Sequence, residues 1–310
     1  MALGFVFPGQ GSQSVGMASA LSQSFPSVKE TFEEASDVLG YDLWALVENG
    51  PAEELNQTDK TQPALLAASV AIWRVWQEKE LAQPSILAGH SLGEYSALTC
   101  AGALGFADAI RIVSQRGQYM QEAVPAGKGA MAAILGLDDD AVIGLCDKAA
   151  EGQVVSAVNF NSPGQVVVAG ETEAVNRAVA LAQEAGAKRA LILPVSVPSH
   201  CALMKPAADK LAETLKSVEI STPTIEVIHN VNVAATQNAD EIRSLLVKQL
   251  HSPVRWVETI QKFAEAGITN IVECGPGKVL MGLNKRIVKG VPTLPVYDDT
   301  SLDKAIQKLS

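Results

Sequence analysis

A serine flanked by glycines stands at residues 89–93, Gly89-His90-Ser91-Leu92-Gly93, directly after a short apolar run. In this position, GxSxG spacing requires a strand, a sharp turn and a helix, because larger side chains at the glycine positions would clash inside the turn. The turn exposes the serine hydroxyl, and nearby backbone N–H groups can stabilise an oxyanion. We therefore expect an α/β fold with Ser91 as a nucleophile; the alternative is a chance match in a glycine-rich turn.

Apolar runs alternate with helical patterns along most of the 310 residues. We predict strands at residues 3–7, 85–88, 225–230 and 268–272, and helices at residues 27–39, 63–80, 92–100, 106–122, 204–216 and 239–249. Strands that alternate with helices favour a mostly parallel sheet. The predicted main domain is hydrolase-like and comprises residues 1–127 and 197–310.

The segment between these two parts has a different pattern. We predict strands at residues 130–135, 154–159, 165–169 and 189–193, with helices at residues 138–149 and 172–185. The order β-α-β-β-α-β is that of a ferredoxin-like unit. The sequence therefore predicts a small ferredoxin-like domain, residues 128–196, inserted into the main domain.

Charge and composition argue against several classes of protein. The net charge is −10, and no basic block is long enough to bind nucleic acid. The N-terminus lacks the basic region of a signal peptide, and no uncharged apolar run of about 18 residues predicts a membrane span. The four cysteines are too widely spaced for a metal cluster and are typical of reduced thiols. We expect a cytoplasmic protein.

A nucleophilic serine needs a base, and the chain has four histidines. His90 lies inside the motif, so we expect its side chain to point away from the hydroxyl of Ser91. His229 falls in a predicted strand, and His251 precedes a Ser-Pro pair. His200 lies in a loop where the main domain resumes, which is a common place for a catalytic group and favours it as the base.

A third member of a catalytic triad is not obvious from the sequence. Hydrolases with this motif carry an acid between the serine and the histidine in chain order. Asp138, Asp139, Asp140 and Asp147 lie in that interval, but all belong to the predicted small domain. A solvated helix face is the simpler interpretation of these residues, and a dyad oriented by a backbone carbonyl or an amide is the alternative.

Two glycine-rich segments fail as nucleotide-binding motifs. Gly9-Gln10-Gly11 begins like a dinucleotide fingerprint, but residue 14 is a serine. Gly275-Pro276-Gly277-Lys278 lacks the first glycine and the final Ser or Thr of a phosphate loop. No HExxH motif occurs. We therefore predict no metal and no nucleotide cofactor.

Several segments together carry a resemblance to one family. They are Phe7-Pro8-Gly9-Gln10-Gly11-Ser12-Gln13, Thr61-Gln62-Pro63-Ala64, Gly89-His90-Ser91-Leu92-Gly93-Glu94-Tyr95, Gln115-Arg116-Gly117, Pro198-Ser199-His200 and Gly275-Pro276-Gly277. The chain resembles the malonyl-CoA:acyl carrier protein transacylases of type II fatty acid synthesis, from the first strand to about residue 288. Each segment alone has modest specificity, whereas the set is highly specific.

The resemblance implies roles for residues at the matching positions. Ser91 would be the nucleophile and His200 its general base, with the backbone N–H groups of Gln10 and Leu92 forming the oxyanion hole. Arg116 would bind the malonyl carboxylate.

Three further positions follow from the same resemblance. The main-chain carbonyl of Gln249 would orient His200 in place of an acid, so the family uses a serine–histidine dyad instead of a triad. Gln62 and Met120 would line the acyl pocket. Ser199 precedes the base, at a position that tracks the choice between malonyl and methylmalonyl in related synthase domains, and this choice stays open.

The implied reaction is transfer of a malonyl group from malonyl-CoA to the phosphopantetheine thiol of acyl carrier protein through a malonyl-serine. No cofactor is implied, because the phosphopantetheine belongs to the partner protein, and we expect a monomer. An esterase or thioesterase with the same turn is an alternative, as is a non-catalytic carrier-binding module. Candidate basic residues for carrier docking are Lys188, Arg189, Lys285, Arg286 and Lys289, for which a solvated surface is the simpler reading.

Overall fold

The computed structural model of the chain describes residues 2–195 and 197–309. Its strands are β1 Leu3–Phe7, β2 Ile86–Gly89, β3 Gly129–Leu135, β4 Val155–Ser162, β5 Gln165–Glu171, β6 Arg189–Ile192, β7 Glu226–Ile228, β8 Asn270–Cys274 and β9 Thr293–Val296. Its α-helices are α1 Ser19–Ser24, α2 Pro26–Leu39, α3 Leu43–Asn49, α4 Ala52–Leu55, α5 Thr58–Glu78, α6 Gly93–Cys100, α7 Phe106–Ala123, α8 Asp139–Ala150, α9 Thr172–Glu184, α10 Lys205–Leu215, α11 Ala239–Gln249, α12 Trp256–Glu265, α13 Val279–Ile287 and α14 Asp299–Leu309.

The larger sheet has the strand order β7-β2-β1-β8-β9, and every neighbouring pair is parallel. Its central strand, β1, reads LGFVF and is buried along its whole length, as expected for a parallel strand covered on both faces. This arrangement confirms the predicted α/β class and the mostly parallel sheet. The label hydrolase-like stays a prediction.

The smaller sheet has the order β4-β5-β3-β6, with antiparallel pairs throughout. Helices α8 and α9 pack against it over a separate apolar core. The element order β-α-β-β-α-β and the strand order agree with the ferredoxin-like unit expected for this segment. The domain limits 1–127, 128–196 and 197–310 stay predictions, and residues 1, 196 and 310 lie outside the described part of the chain.

Backbone hydrogen bonds join the edge strand β4 of the smaller sheet to the loop between α11 and α12. The N–H of Val254 donates to the carbonyl of Val158 at 2.8 Å, and the N–H of Phe160 donates to the carbonyl of Val254 at 3.0 Å. One edge of the smaller sheet is therefore fixed to the larger domain core. A cleft lies between the two units.

Predicted and observed elements differ mainly in short or late segments. Sequence patterns gave no prediction for α1, α3, α4, α12, α13, β9 or α14. Helix α5 begins at Thr58, five residues before the predicted start, and carries Pro63 inside its first two turns. None of the described helices is both long and apolar enough to cross a bilayer.

Candidate active site

Ser91 occupies the turn between β2 and α6. Its φ is 52°, in the left-handed region that non-glycine residues seldom adopt. A Cβ on Gly89 would lie 1.8 Å from the backbone carbon of Gly93, and a Cβ on Gly93 would lie 2.1 Å from the carbonyl oxygen of Phe7. The two glycines therefore allow the close contact between strand and helix that projects Ser91 into the cleft.

His200 lies against the hydroxyl of Ser91. The distance from its Nε2 to the Oγ of Ser91 is 2.7 Å, and its Nδ1 lies 2.7 Å from the carbonyl oxygen of Gln249. A carbonyl can only accept a hydrogen bond, so Nδ1 carries the proton and Nε2 is free to accept one from the serine. The two residues are 109 positions apart in the chain.

The electrostatic surroundings keep His200 neutral. Burial lowers the pKa of His200 to about 3, and the positive charge of Arg116 adds to this effect. The imidazole is 3% exposed. A neutral imidazole at physiological pH is the form that can act as a general base.

No described Asp or Glu side chain bonds to His200 directly. The acidic residues considered from the sequence lie on α8 or at its start, beside the smaller sheet. The side chain of Asp138 caps this helix by accepting a hydrogen bond from the N–H of Ala141 at 2.8 Å. The dyad arrangement left open by the sequence is the one that the geometry supports.

Gln10 and Leu92 are the residues whose backbone N–H groups we expect to form the oxyanion hole. Both residues line the cleft beside Ser91. Gly9 makes this approach possible, since a Cβ there would lie 2.5 Å from the carbonyl oxygen of His90. Within the described ranges, neither the Gln10 N–H nor the Leu92 N–H has a protein acceptor. Two such donors can bind an oxyanion that forms at the serine.

Arg116 supplies a buried positive charge beside the cleft. It projects from α7 and is 1% exposed. Its Nη1 donates to Oε1 of Gln62 at 2.8 Å, and its Nη2 donates to Oε1 of Gln249 at 3.1 Å. Its Nε has no partner among residues 2–195 and 197–309, and burial lowers its pKa. Both of its hydrogen bonds go to neutral amide oxygens, and the ring of Tyr95 lies 5.5 Å away. A buried guanidinium without a directly bonded carboxylate is suited to an anionic ligand.

Met120 and Gln62 take different positions around this arginine. Met120 lines the cleft. Gln62 lies behind Arg116, where its Nε2 contacts the Sδ of Met120 at 3.5 Å. Gln62 thus fixes the arginine from behind instead of forming the cleft surface.

The smaller sheet forms the opposite side of a cleft with a volume of about 180 Å³. His90 connects the two sides by donating from Nε2 to Oδ1 of Asn161 at 2.7 Å, and burial lowers the pKa of His90. The other lining residues from this side and from α13 are mostly apolar: Met131, Asn159, Val167, Leu193, Val195, Val279, Leu280 and Leu283. In the part of the chain that the structure describes, no cluster of His, Cys, Asp and Glu is arranged to hold a metal.

Comparison with known proteins agrees with this geometry. The model of the acyl transferase domain family matches residues 4–299. A malonyl CoA-acyl carrier protein transacylase of Haemophilus influenzae is 63% identical over 299 residues, which are 96% of this chain and 96% of that protein. The chain belongs to the malonyl CoA-acyl carrier protein transacylase family. It is therefore an acyltransferase.

Two solved structures resemble this acyltransferase over nearly its full length. An acyl carrier protein S-malonyltransferase from Vibrio cholerae has a TM-score of 0.96 and 61% identity, covering 98% of this chain and 100% of that one. A malonyl-transacylase in complex with a type II PKS acyl-carrier protein has a TM-score of 0.98 and 59% identity, covering 99% and 100%.

Sequence reasoning missed a buried polar network behind the nucleophile of this acyltransferase. Asn230 accepts a hydrogen bond from the N–H of Ser91 at 2.8 Å and donates from Nδ2 to the carbonyl of Gly89 at 2.7 Å. Glu94 lies 2.8 Å from Nδ1 of His229, which follows the end of β7. Glu94 is three residues after Ser91, within the segment 89–95 that carries the resemblance. This closeness in the chain was the sequence signal that could have indicated a role for Glu94 near the nucleophile.

Proposed function

We propose that this acyltransferase moves a malonyl group from malonyl-CoA to the phosphopantetheine thiol of an acyl carrier protein, as a step that supplies fatty acid synthesis. The group would be held between the two half-reactions as an ester of Ser91. The observation that carries this proposal is a serine–histidine pair that opens into a cleft beside the buried cation of Arg116. The names of the relatives support the same donor and acceptor.

The first half-reaction begins with removal of the proton from Ser91. Nε2 of His200 takes this proton as Oγ attacks the thioester carbonyl, and Nδ1 keeps its own proton in the bond to Gln249. The carbonyl electrons move to the oxygen, where the N–H groups of Gln10 and Leu92 stabilise the negative charge. Collapse of this intermediate breaks the C–S bond, and His200 returns the proton to the departing CoA sulfur.

The second half-reaction uses the same groups in reverse roles. The thiol of the carrier gives its proton to His200 as its sulfur attacks the ester carbonyl of the malonyl-serine. A second oxyanion forms in the same position, the C–O bond breaks, and His200 protonates Oγ of Ser91. The enzyme is regenerated with the malonyl group on the carrier.

Arg116 gives the cleft its preference for a carboxylate-bearing acyl group. A guanidinium binds a carboxylate through two parallel charge-assisted hydrogen bonds. An acetyl group lacks that carboxylate and would leave the buried cation unpaired, which is unfavourable. Ser199 also lines the cleft, and the choice between malonyl and methylmalonyl stays open.

A transfer assay tests the proposal against a hydrolase with the same catalytic pair. The protein is incubated with malonyl-CoA, with and without acyl carrier protein that bears phosphopantetheine, and malonyl-carrier and free malonate are both measured. We expect rapid formation of malonyl-carrier, slow release of malonate, and loss of transfer in Ser91→Ala. Rapid release of malonate without a carrier would indicate a thioesterase, and full transfer by Ser91→Ala would indicate a non-catalytic binding module.

Other properties follow as proposals from the same assignment. The chemistry needs no metal and no bound cofactor, since the donor and the carrier supply all reacting groups. We also propose a cytoplasmic monomer in which the hydrolase-like main domain carries the catalytic pair. The inserted ferredoxin-like domain at residues 128–196 supplies the opposite wall of the cleft.

A further inference from the structure

A buried carboxylate lies directly behind the catalytic pair. Glu94 stands on the first turn of α6, three residues after Ser91, and is 0% exposed. It accepts hydrogen bonds from the N–H of Asn230 at 2.9 Å, from Nε2 of Gln249 at 2.9 Å and from Nδ1 of His229 at 2.8 Å. Three donors around one carboxyl group are typical of an ionised carboxylate, which can only accept.

Gln249 connects this carboxylate to the reacting groups. Its Nε2 donates to Glu94 and also to the carbonyl oxygen of Ser91, at 2.9 Å in both cases. Its backbone carbonyl accepts from Nδ1 of His200, and its Oε1 accepts from Arg116. The base, the backbone of the nucleophile and the acyl-binding cation therefore share one neighbour, which Glu94 holds in place.

We propose that Glu94 is the positioning residue that substitutes for the missing acid of a triad, acting on His200 through Gln249. When His200 takes the serine proton it becomes an imidazolium in a buried site that already contains the cation of Arg116. The hydrogen bond from Gln249 to Glu94 keeps the orienting carbonyl aligned with that imidazolium, and the negative charge of Glu94 lies across Gln249 from both cations. Glu94 exchanges no proton with the substrate.

The position of Glu94 in the chain explains why the usual search failed. Glu94 does lie between the serine and the histidine in chain order, as the acids of related hydrolases do, but it is on the helix that the nucleophile turn itself starts and it reaches the histidine only through Gln249. Another buried carboxylate, Glu273, accepts from the N–H groups of Leu280 and Met281 at the start of α13. It has no hydrogen bond to Gln249 and cannot serve this role.

The proposal rests on the proposed function and is tested with Glu94→Gln. Glutamine conserves shape, and His229 can move its proton to Nε2 so that its bare Nδ1 accepts from the new amide. The substitution therefore removes the charge with little change in packing. Initial rates are measured with malonyl-CoA and acetyl-CoA, and kcat is expressed per acylatable Ser91.

We expect Glu94→Gln to lower kcat roughly tenfold or more with both acyl donors, because the imidazolium loses a nearby negative charge. KM for malonyl-CoA should not rise, since Arg116 keeps its charge. A kcat within about twofold of wild type, or a raised KM with unchanged kcat, would overturn the proposal. Absence of acylation in the wild-type protein would instead refute the proposed function.

Gln249→Met provides a second variant that keeps the volume and removes the bridge, and it carries the test if Glu94→Gln does not fold. We expect a similar fall in kcat from Gln249→Met alone. The double variant should lose little more than either single variant, because both act through one connection. Additive losses, or a wild-type kcat in Gln249→Met, would show that Glu94 does not act through Gln249.

Discussion

Replacing Arg116 with alanine should abolish the preference for a carboxylate-bearing acyl group. The guanidinium is 1% exposed and its two outer nitrogens already face neutral acceptors, so a bound malonyl carboxylate becomes its counter-charge. Removing one partner of a buried ion pair costs about 3–5 kcal/mol. At 1.4 kcal/mol per factor of ten, kcat/KM for malonyl-CoA should fall by roughly a hundredfold or more. Acetyl transfer, which lacks the ion pair, should change far less.

The assay compares kcat/KM for malonyl-CoA and acetyl-CoA in the same preparation. Arg111→Ala is the matched control, because Arg111 is on the same helix but is exposed and paired with Asp108. Arg116→Lys should give an intermediate loss, since lysine keeps the charge but not the two-pronged geometry. Equal losses for both donors in Arg116→Ala would remove this arginine from carboxylate recognition.

Three further predictions concern stability and docking. Gly89→Ala should destabilise the fold by more than about 3 kcal/mol, because its Cβ would overlap the backbone of Gly93. The control is Gly144→Ala on α8, whose Cβ meets no atom within 4 Å and should leave the thermal midpoint unchanged or raised. Similar thermal midpoints for the two variants would contradict this prediction. The pKa of His200 falls from 6.5 to about 3 on folding, so the unfolded chain binds more protons between these values and stability drops as the pH falls through that range. In urea denaturation, the free energy of unfolding of His200→Gln should fall less than that of the wild type over the same pH range. Parallel profiles of unfolding free energy against pH would refute the lowered pKa of His200. The third prediction concerns the basic residues considered for carrier docking, which are Lys188, Arg189, Lys285, Arg286 and Lys289. Reversing their charge should raise KM for the acidic carrier protein without changing KM for malonyl-CoA. An unchanged KM for the carrier would exclude these residues from docking.

Local sterics made the nucleophile turn predictable. Gly89 and Gly93 leave one arrangement of strand and helix open, and the structure has β2 and α6 where this arrangement requires them. The smaller sheet was also predictable, because its four strands and two helices are encoded within one continuous segment, in which the turn Asn161-Ser162-Pro163-Gly164 joins β4 to β5. The chain outside these segments carried weaker signals.

Contacts between distant residues could not be predicted from spacing. Nothing local in the sequence indicates that Gln249, at the end of α11, brings its carbonyl to His200. Gln62 was expected on the cleft surface as an inference from resemblance, but the packing of α5 on α7 places it behind Arg116. Strand β9 was missed because its four residues, TLPV, include a proline and give no alternation.

The central claim is that Ser91 carries the malonyl group between donor and carrier. It is tested most directly by incubating the protein with malonyl-CoA in the absence of carrier, quenching with acid and mapping the acylated peptide by mass spectrometry. We predict one malonyl group on the peptide that contains Ser91, its loss on addition of carrier protein, and no adduct in Ser91→Ala. An adduct on another residue, or a malonyl-Ser91 that the carrier does not discharge, would contradict the account.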